Sequence, residues 1–128
     1  MNYPIEAVFC DDIRREESGK LILVGVYPKA LSVEEFPNTL ELSLWVKINK
    51  SFQPPYSFKV EVIANEDILH TVEPTFTEDD GSGSAQVLMI GMPVKLMRPG
   101  HIGVTVSGEG GEIGQITLPV IEKKKSKG

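Results

Sequence analysis

Two adjacent aspartates are the residues whose type and spacing most readily suggest chemistry. Asp11 and Asp12 follow the short apolar stretch "AVFC", and two converging carboxylates can act as general acid and base or bind a metal ion. The stretch has the pattern of a β-strand, however, in which successive side chains point to opposite faces. We therefore expect the two carboxylates not to converge. Asp11 shares a face with Ala7 and Phe9, so it should lie near the core with a hydrogen-bonding or basic partner.

Other candidate ligands and nucleophiles are scattered along the chain. His70 and His101 are the only histidines, and no H-x-H or H-E-x-x-H spacing surrounds them. The acidic loop 78–80 offers oxygen ligands for calcium but lacks the D-x-D-x-D-G spacing. Neither a G-x-S-x-G elbow nor a phosphate-binding loop is present. The sequence thus predicts no catalytic residue, metal site or cofactor. A metal-dependent or small-ligand-binding protein that uses Asp11 and Asp12, or the acidic loop, is left open as the alternative.

Alternating apolar and polar residues dominate the elements that must position these side chains. The clearest strand is "TLELSLWVKI", in which Leu40, Leu42, Leu44, Val46 and Ile48 share one face. A strand at "SFKVEVIA" and hairpins around "NED" and "EGG" follow the same pattern, and the crossing segment 28–38 is predicted to hold a single helical turn at 33–36. Seven to nine such strands indicate an all-β fold, a single antiparallel β-sandwich of the immunoglobulin-like or Greek-key type.

Charge and length limit the classes of partner. The 128 residues fit one domain, predicted over residues 1–121, and residues 122–128 read as a basic, disordered tail. The last six residues hold four lysines, so the rest of the chain carries nine bases and eighteen acids, which disfavours nucleic-acid binding by the folded domain. No apolar run approaches the roughly 18 residues of a membrane span, and no secretory signal is recognisable. The lone Cys10 fits a reducing compartment, and we expect a cytoplasmic protein.

Trp45 is the most informative residue for an interaction. It lies on the polar face of the clearest strand, and the alternation puts Ile63 of the next strand on the same outward face, which suggests an interface anchor. A loop such as segment 28–38 could instead cover it. The first two strands, "AVFC" and "LILVGV", are apolar on both faces, so they are either covered on both sides or meet a partner. In a small-ligand or sugar-binding sandwich, Trp45 or Tyr27 would stack on the ligand.

Both ends of the chain resemble a family of small, uncharacterised bacterial proteins. The resemblance is carried by "AVFCDDIRREESGKLILVGVYP" and "RPGHIGVTVSGEGGEIGQITLPV". It implies a compact β-sandwich, and it suggests that "CDDIR", "GK" and "GVY" form a signature of the first hairpin. No functional residue is implied by it.

These observations favour a non-enzymatic, cytoplasmic β-sandwich that works as a protein–protein interaction module. Its partner would be another protein or a second copy of the chain. The candidate interaction residues are Trp45, Ile63, Asp11 and Tyr27.

Overall fold

The computed structural model describes residues 3–123, which form eleven β-strands and no helix. The strands are β1 (Ile5–Arg15), β2 (Leu21–Val26), β3 (Leu31–Val33), β4 (Asn38–Ile48), β5 (Tyr56–Ser57), β6 (Lys59–Ala64), β7 (Asp67–Val72), β8 (Thr75–Phe76), β9 (Ala85–Leu96), β10 (Gly100–Gly108) and β11 (Gly111–Glu122). The prediction of an all-β protein is confirmed.

The strands assemble into two main sheets and a two-stranded ribbon. The first sheet has the order β2-β1-β4-β9, the second has the order β3-β11-β10-β6-β7, and β5 pairs with β8. Both main sheets contribute to one hydrophobic core, whose fully buried members include Leu42, Leu44, Val46, Ile48, Val60, Val62, Ile102 and Val104. The inward face predicted from the alternation in β4 is therefore confirmed.

A single antiparallel sandwich of seven to nine strands is not confirmed, because eleven strands are present and one pairing is parallel. After β2 the chain leaves the first sheet and enters the second as β3, which runs parallel to β11. The predicted helical turn at 33–36 is wrong. Leu31 and Val33 are buried on either side of exposed Ser32, so this segment follows the two-residue period of a strand.

The first hairpin is closed by a three-residue loop. The Glu16 amide donates to the Lys20 carbonyl at 2.8 Å, and the Gly19 amide donates to the Glu16 carbonyl at 2.9 Å. Gly19 has φ +90°, which closes such a loop at little conformational cost. Strand β1 pairs with β4 over residues 5–10 and with β2 over residues 10–15. Beyond Cys10, the hairpin of β1 and β2 therefore continues without pairing to β4.

The C-terminal strand reaches slightly into the segment predicted as a tail. Strand β11 ends at Glu122, and the Lys123 amide donates to the Val33 carbonyl at 2.8 Å. Residues 124–128 of the predicted tail lie outside the described residues. Within residues 3–123 there is no helix of the length and apolar character that crossing a membrane requires.

Candidate functional site

Asp11 is hydrogen-bonded to the residue that follows the C-terminal end of β2. Its Oδ1 accepts a hydrogen bond of 2.5 Å from the Tyr27 hydroxyl. Between the two, the Asp11 side chain lies across Gly25, where any Cβ would overlap Asp11 Oδ2. Gly25 also has φ +68°, a conformation that favours glycine. Burial, followed by the hydrogen bond to Asp11, raises the pKa of Tyr27 to about 12.

Asp12 has different partners from Asp11. Its Oδ2 lies 3.2 Å from Nε of Arg14, and its Oδ1 accepts a hydrogen bond of 2.9 Å from the Ile13 amide. The two carboxylates therefore make separate contacts. Over residues 3–123, no group of three or more histidine, cysteine, aspartate and glutamate side chains is arranged to hold a metal ion.

The two histidines also contact different partners. Nε2 of His70 lies 2.6 Å from the Pro93 carbonyl, so this contact connects β7 in the second sheet to β9 in the first. His101 is exposed, and its backbone amide donates to Oδ1 of Asn65 at 3.0 Å. The His70 ring therefore joins the two main sheets, whereas His101 lies within β10.

The acidic loop uses two of its carboxylates to hold its own backbone. Oδ1 of Asp79 accepts a bond from the Gly81 amide, and Oδ1 of Asp80 accepts one from the Ser82 amide, both at 2.9 Å. The hydrogen bonds from Ser82 lower the pKa of Asp80. Such turns are what aspartates commonly stabilise in loops.

A buried serine attaches the hairpin to the first sheet. Ser43 is fully buried on the outward side of β4; its Oγ donates to the Asp11 carbonyl at 3.4 Å and accepts from the Gly91 amide at 3.1 Å. Beside it, Cys10 is fully buried, with Sγ 3.8 Å from the Ser43 carbonyl. Burial, and then the negative charge of Asp11, raise the pKa of this thiol. The hairpin is thus fixed where it leaves β4.

Trp45 is half-buried on the outward face of β4. Its indole Nε1 donates to Oε1 of Gln86 at 3.2 Å, and its direct neighbours across the sheet are Val8 and Leu88. The interpretation that Ile63 accompanies Trp45 is wrong, because Ile63 belongs to β6 in the second sheet. Alternation along a strand assigns a residue to a face but does not assign the strand to a sheet.

One side of Trp45 borders the first hairpin. A groove beside the indole is lined by Gly19, Lys20, Leu21, Leu23, Trp45 and Gln86. A second groove, on the other side, is lined by residues of β1 and β11 and by Tyr3. The hairpin, and not the crossing segment 28–38, therefore flanks the tryptophan.

The face of β2 opposite Leu21 and Leu23 is apolar and exposed. Ile22 is 43% exposed, Val24 is 39% exposed and Val26 is 46% exposed. They alternate with Leu21 and Leu23, which are half-buried. Because β2 is the last strand of the first sheet, the backbone groups on its outer side have no strand partner among residues 3–123. We call these six residues, Leu21–Val26, the β2 edge.

The other three edges of the two main sheets are protected. In β9, Pro93 has no amide hydrogen to donate, Gly91 sits at a register shift, and His70 occupies the Pro93 carbonyl. Strand β7, which carries His70, begins with the charged Asp67 and has a register shift at Leu69, and β3 is only three residues long. The β2 edge has six residues with no charge and no proline. Gly25 has φ +68°, but the register with β1 continues across it without a shift, from Asp12↔Val24 to Cys10↔Val26. The edge therefore lacks the charge, proline and register shift by which sheets normally block further pairing.

The sequence shows that "LILVGV" is apolar on both faces, but it does not single out Ile22, Val24 and Val26. The signal in the sequence is that this strand and the first do not alternate, in a chain whose other clear strands do. The position of β2 at the end of a sheet was not available from the sequence.

The fold and this surface define the molecule as an all-β protein with, among residues 3–123, one unprotected apolar sheet edge. The chain belongs to a family of unknown function, DUF6941, whose model matches residues 6–121. The match runs from β1 into β11, and the resemblance to an uncharacterised family is thereby confirmed. No curated protein matches the sequence.

Proposed function

We propose that this protein is a non-enzymatic interaction module that binds a protein partner by adding a strand to the β2 edge. The observation that carries the proposal is the six-residue, uncharged strand at the end of the first sheet, with three exposed aliphatic side chains. In strand addition, backbone hydrogen bonds supply affinity and alternate side chains supply specificity.

The exposed aliphatic face favours a stable contact. Each of Ile22, Val24 and Val26 is already more than half buried, so complete burial adds about 1 kcal/mol per side chain. Backbone hydrogen bonds between β2 and the added strand contribute further to the free energy of binding. The outer N–H and C=O groups of β2 lie next to apolar side chains, which would shield these bonds from water. An interface of this size belongs to the weak or transient class.

Three of the residues singled out in the sequence, Trp45, Asp11 and Tyr27, support this surface. Trp45 shares a groove with Leu21 and Leu23, so the inner face of an added strand would lie beside apolar side chains. The Asp11–Tyr27 hydrogen bond fixes the end of β2 and so preorganises the edge. We place the protein in the cytoplasm, which the single, buried and unpaired Cys10 supports.

The proposal is tested by capture with matched baits. Wild-type protein, Val24→Lys and Ile121→Lys are immobilised and exposed to an extract of the native cells, and retained proteins are quantified by mass spectrometry. Ile121 is also an exposed aliphatic residue, 45% exposed, but it lies on β11 in the second sheet. We expect a partner retained by wild type and by Ile121→Lys and lost with Val24→Lys.

Hydrogen exchange on the purified complex locates the contact. Amides of residues 21–26 should become protected when the partner is bound, because an added strand pairs with them. Equal retention of every partner by Val24→Lys, or protection confined to other strands, would exclude the β2 edge as the binding surface.

A further inference from the structure

We infer that the β2 edge pairs with the β2 edge of a second copy of this chain, antiparallel and about a two-fold axis at Val24. This inference rests on the proposed function and names the partner. It joins the two first sheets into one continuous eight-stranded sheet in the order β9-β4-β1-β2-β2-β1-β4-β9.

The two-fold axis restricts the register. In a continuous sheet, the axis lies normal to the sheet, so each side chain must face a partner side chain on the same face. Because faces alternate along the strand, the axis must pass beside one residue that meets its own copy. Near the middle of β2, this residue is Val24 or Leu23.

Pairing through Val24 is the better of the two registers. It places Ile22 opposite Val26 of the other copy on both sides of the axis, which forms three aliphatic cross-strand pairs on the exposed face. On the inner face, Leu23 meets Gly25. Pairing through Leu23 would instead set the charged Lys20 against Val26.

The charge distribution favours a second copy at this place. The chain carries a net charge of −5, so two copies repel each other overall. The segment 11–29, which contains the hairpin and the residues after it, is an exception. It holds four acids and four bases, and residues 21–26 hold none of either. Two copies therefore approach through the β2 edge without like-charge repulsion.

The side chains beside the edge leave it accessible. Asp12 and Arg14, which lie opposite Val24 and Ile22 on β1, pair with each other and so neutralise the border of the aliphatic row. No backbone group on the outer side of β2 is hydrogen-bonded to another described strand.

A charge-swap experiment at the axis tests the inference. The full-length wild type should show a concentration-dependent monomer–dimer equilibrium by sedimentation velocity between about 1 and about 500 µM. Val24→Lys alone and Val24→Glu alone should each weaken the dimer at least about tenfold, since two like charges would face each other directly. An equimolar mixture of the two variants should restore association as a heterodimer.

Matched controls and folding checks keep each outcome interpretable. The same swap at Ile68, which is 58% exposed on β7, should leave the equilibrium unchanged. Circular dichroism melting confirms that each variant is folded; if Val24→Glu does not fold, Val24→Lys mixed with Val24→Asp replaces it. A wild type that stays monomeric up to the highest concentration overturns the inference. So does a dimer unaffected by Val24→Lys, or a mixture that does not reassociate.

Failure of this inference is separable from failure of the proposed function. A monomeric wild type that still retains a captured partner in a Val24-dependent manner overturns only the second copy as occupant. A monomeric wild type that retains no Val24-dependent partner overturns both.

Discussion

Replacing Gly25 by alanine should destabilise this protein by about 1 kcal/mol more than the same change at Gly19, another glycine of the hairpin. Gly25 has φ +68°, and a left-handed conformation costs an alanine roughly 1–2 kcal/mol. The new Cβ would also overlap Asp11 Oδ2, so the carboxylate must move away from the Tyr27 hydroxyl. Losing that partly exposed hydrogen bond costs about 1 kcal/mol more. We expect Gly25→Ala to lower the free energy of unfolding by about 2–3 kcal/mol.

The matched control is Gly19→Ala in the turn of the same hairpin. Gly19 has φ +90°, but nothing lies within 4 Å of the position its Cβ would take. It should therefore show the conformational cost alone, roughly 1–2 kcal/mol. Urea unfolding followed by tryptophan fluorescence measures both variants. In a Tyr27→Phe background, Gly25→Ala should cost about 1 kcal/mol less, because the bond is already absent. Equal destabilisation by Gly25→Ala and Gly19→Ala would refute the steric part of the reasoning.

Two further predictions concern the groups with raised pKa values. Because the pKa of Tyr27 is raised from 10.0 to about 12, its contribution to stability is fully present below pH 10 and is lost between pH 10 and pH 12. In urea unfolding across this range, the free energy of unfolding should fall less for Tyr27→Phe than for wild type. Parallel pH dependences of the two proteins would contradict this. Cys10 is fully buried, and burial raises its pKa, so a thiol reagent at pH 8 should label it at least about 100-fold faster in denaturant than in buffer. Rapid labelling of the folded protein would show that the hairpin opens readily.

The strand pattern of β4 and β6 could be predicted because each strand has one buried and one outward face. Leu42, Leu44, Val60 and Val62 all follow the two-residue period and are all buried. Alternation carries no information about which strands are neighbours, however. For that reason, alternation predicts that Ile63 shares the face of Trp45, although the two residues lie in different sheets.

The candidate site was only partly predictable because its contacts connect distant residues. The parity of β1 predicted that Asp11 would lie near the core with a hydrogen-bonding or basic partner. The Asp11 side chain is exposed instead, and parity could not identify its partner, Tyr27, sixteen residues away. The exposure of the β2 edge depends on sheet order, which is set by the pairing of β1 with β4 and of β4 with β9. Strand β3 was missed because its three residues are too few for a pattern to be recognised.

The proline in β9 has a consequence for stoichiometry. A strand added at β2 leaves the opposite margin of the same sheet unchanged, and there Pro93 and the irregularity at Gly91 prevent a further chain from pairing. The association proposed for β2 would therefore be saturable, since residues 3–123 of each molecule offer one competent edge and growth would stop after a single addition. An exposed apolar strand that would otherwise seed fibrils is in this way compatible with a discrete complex of fixed size.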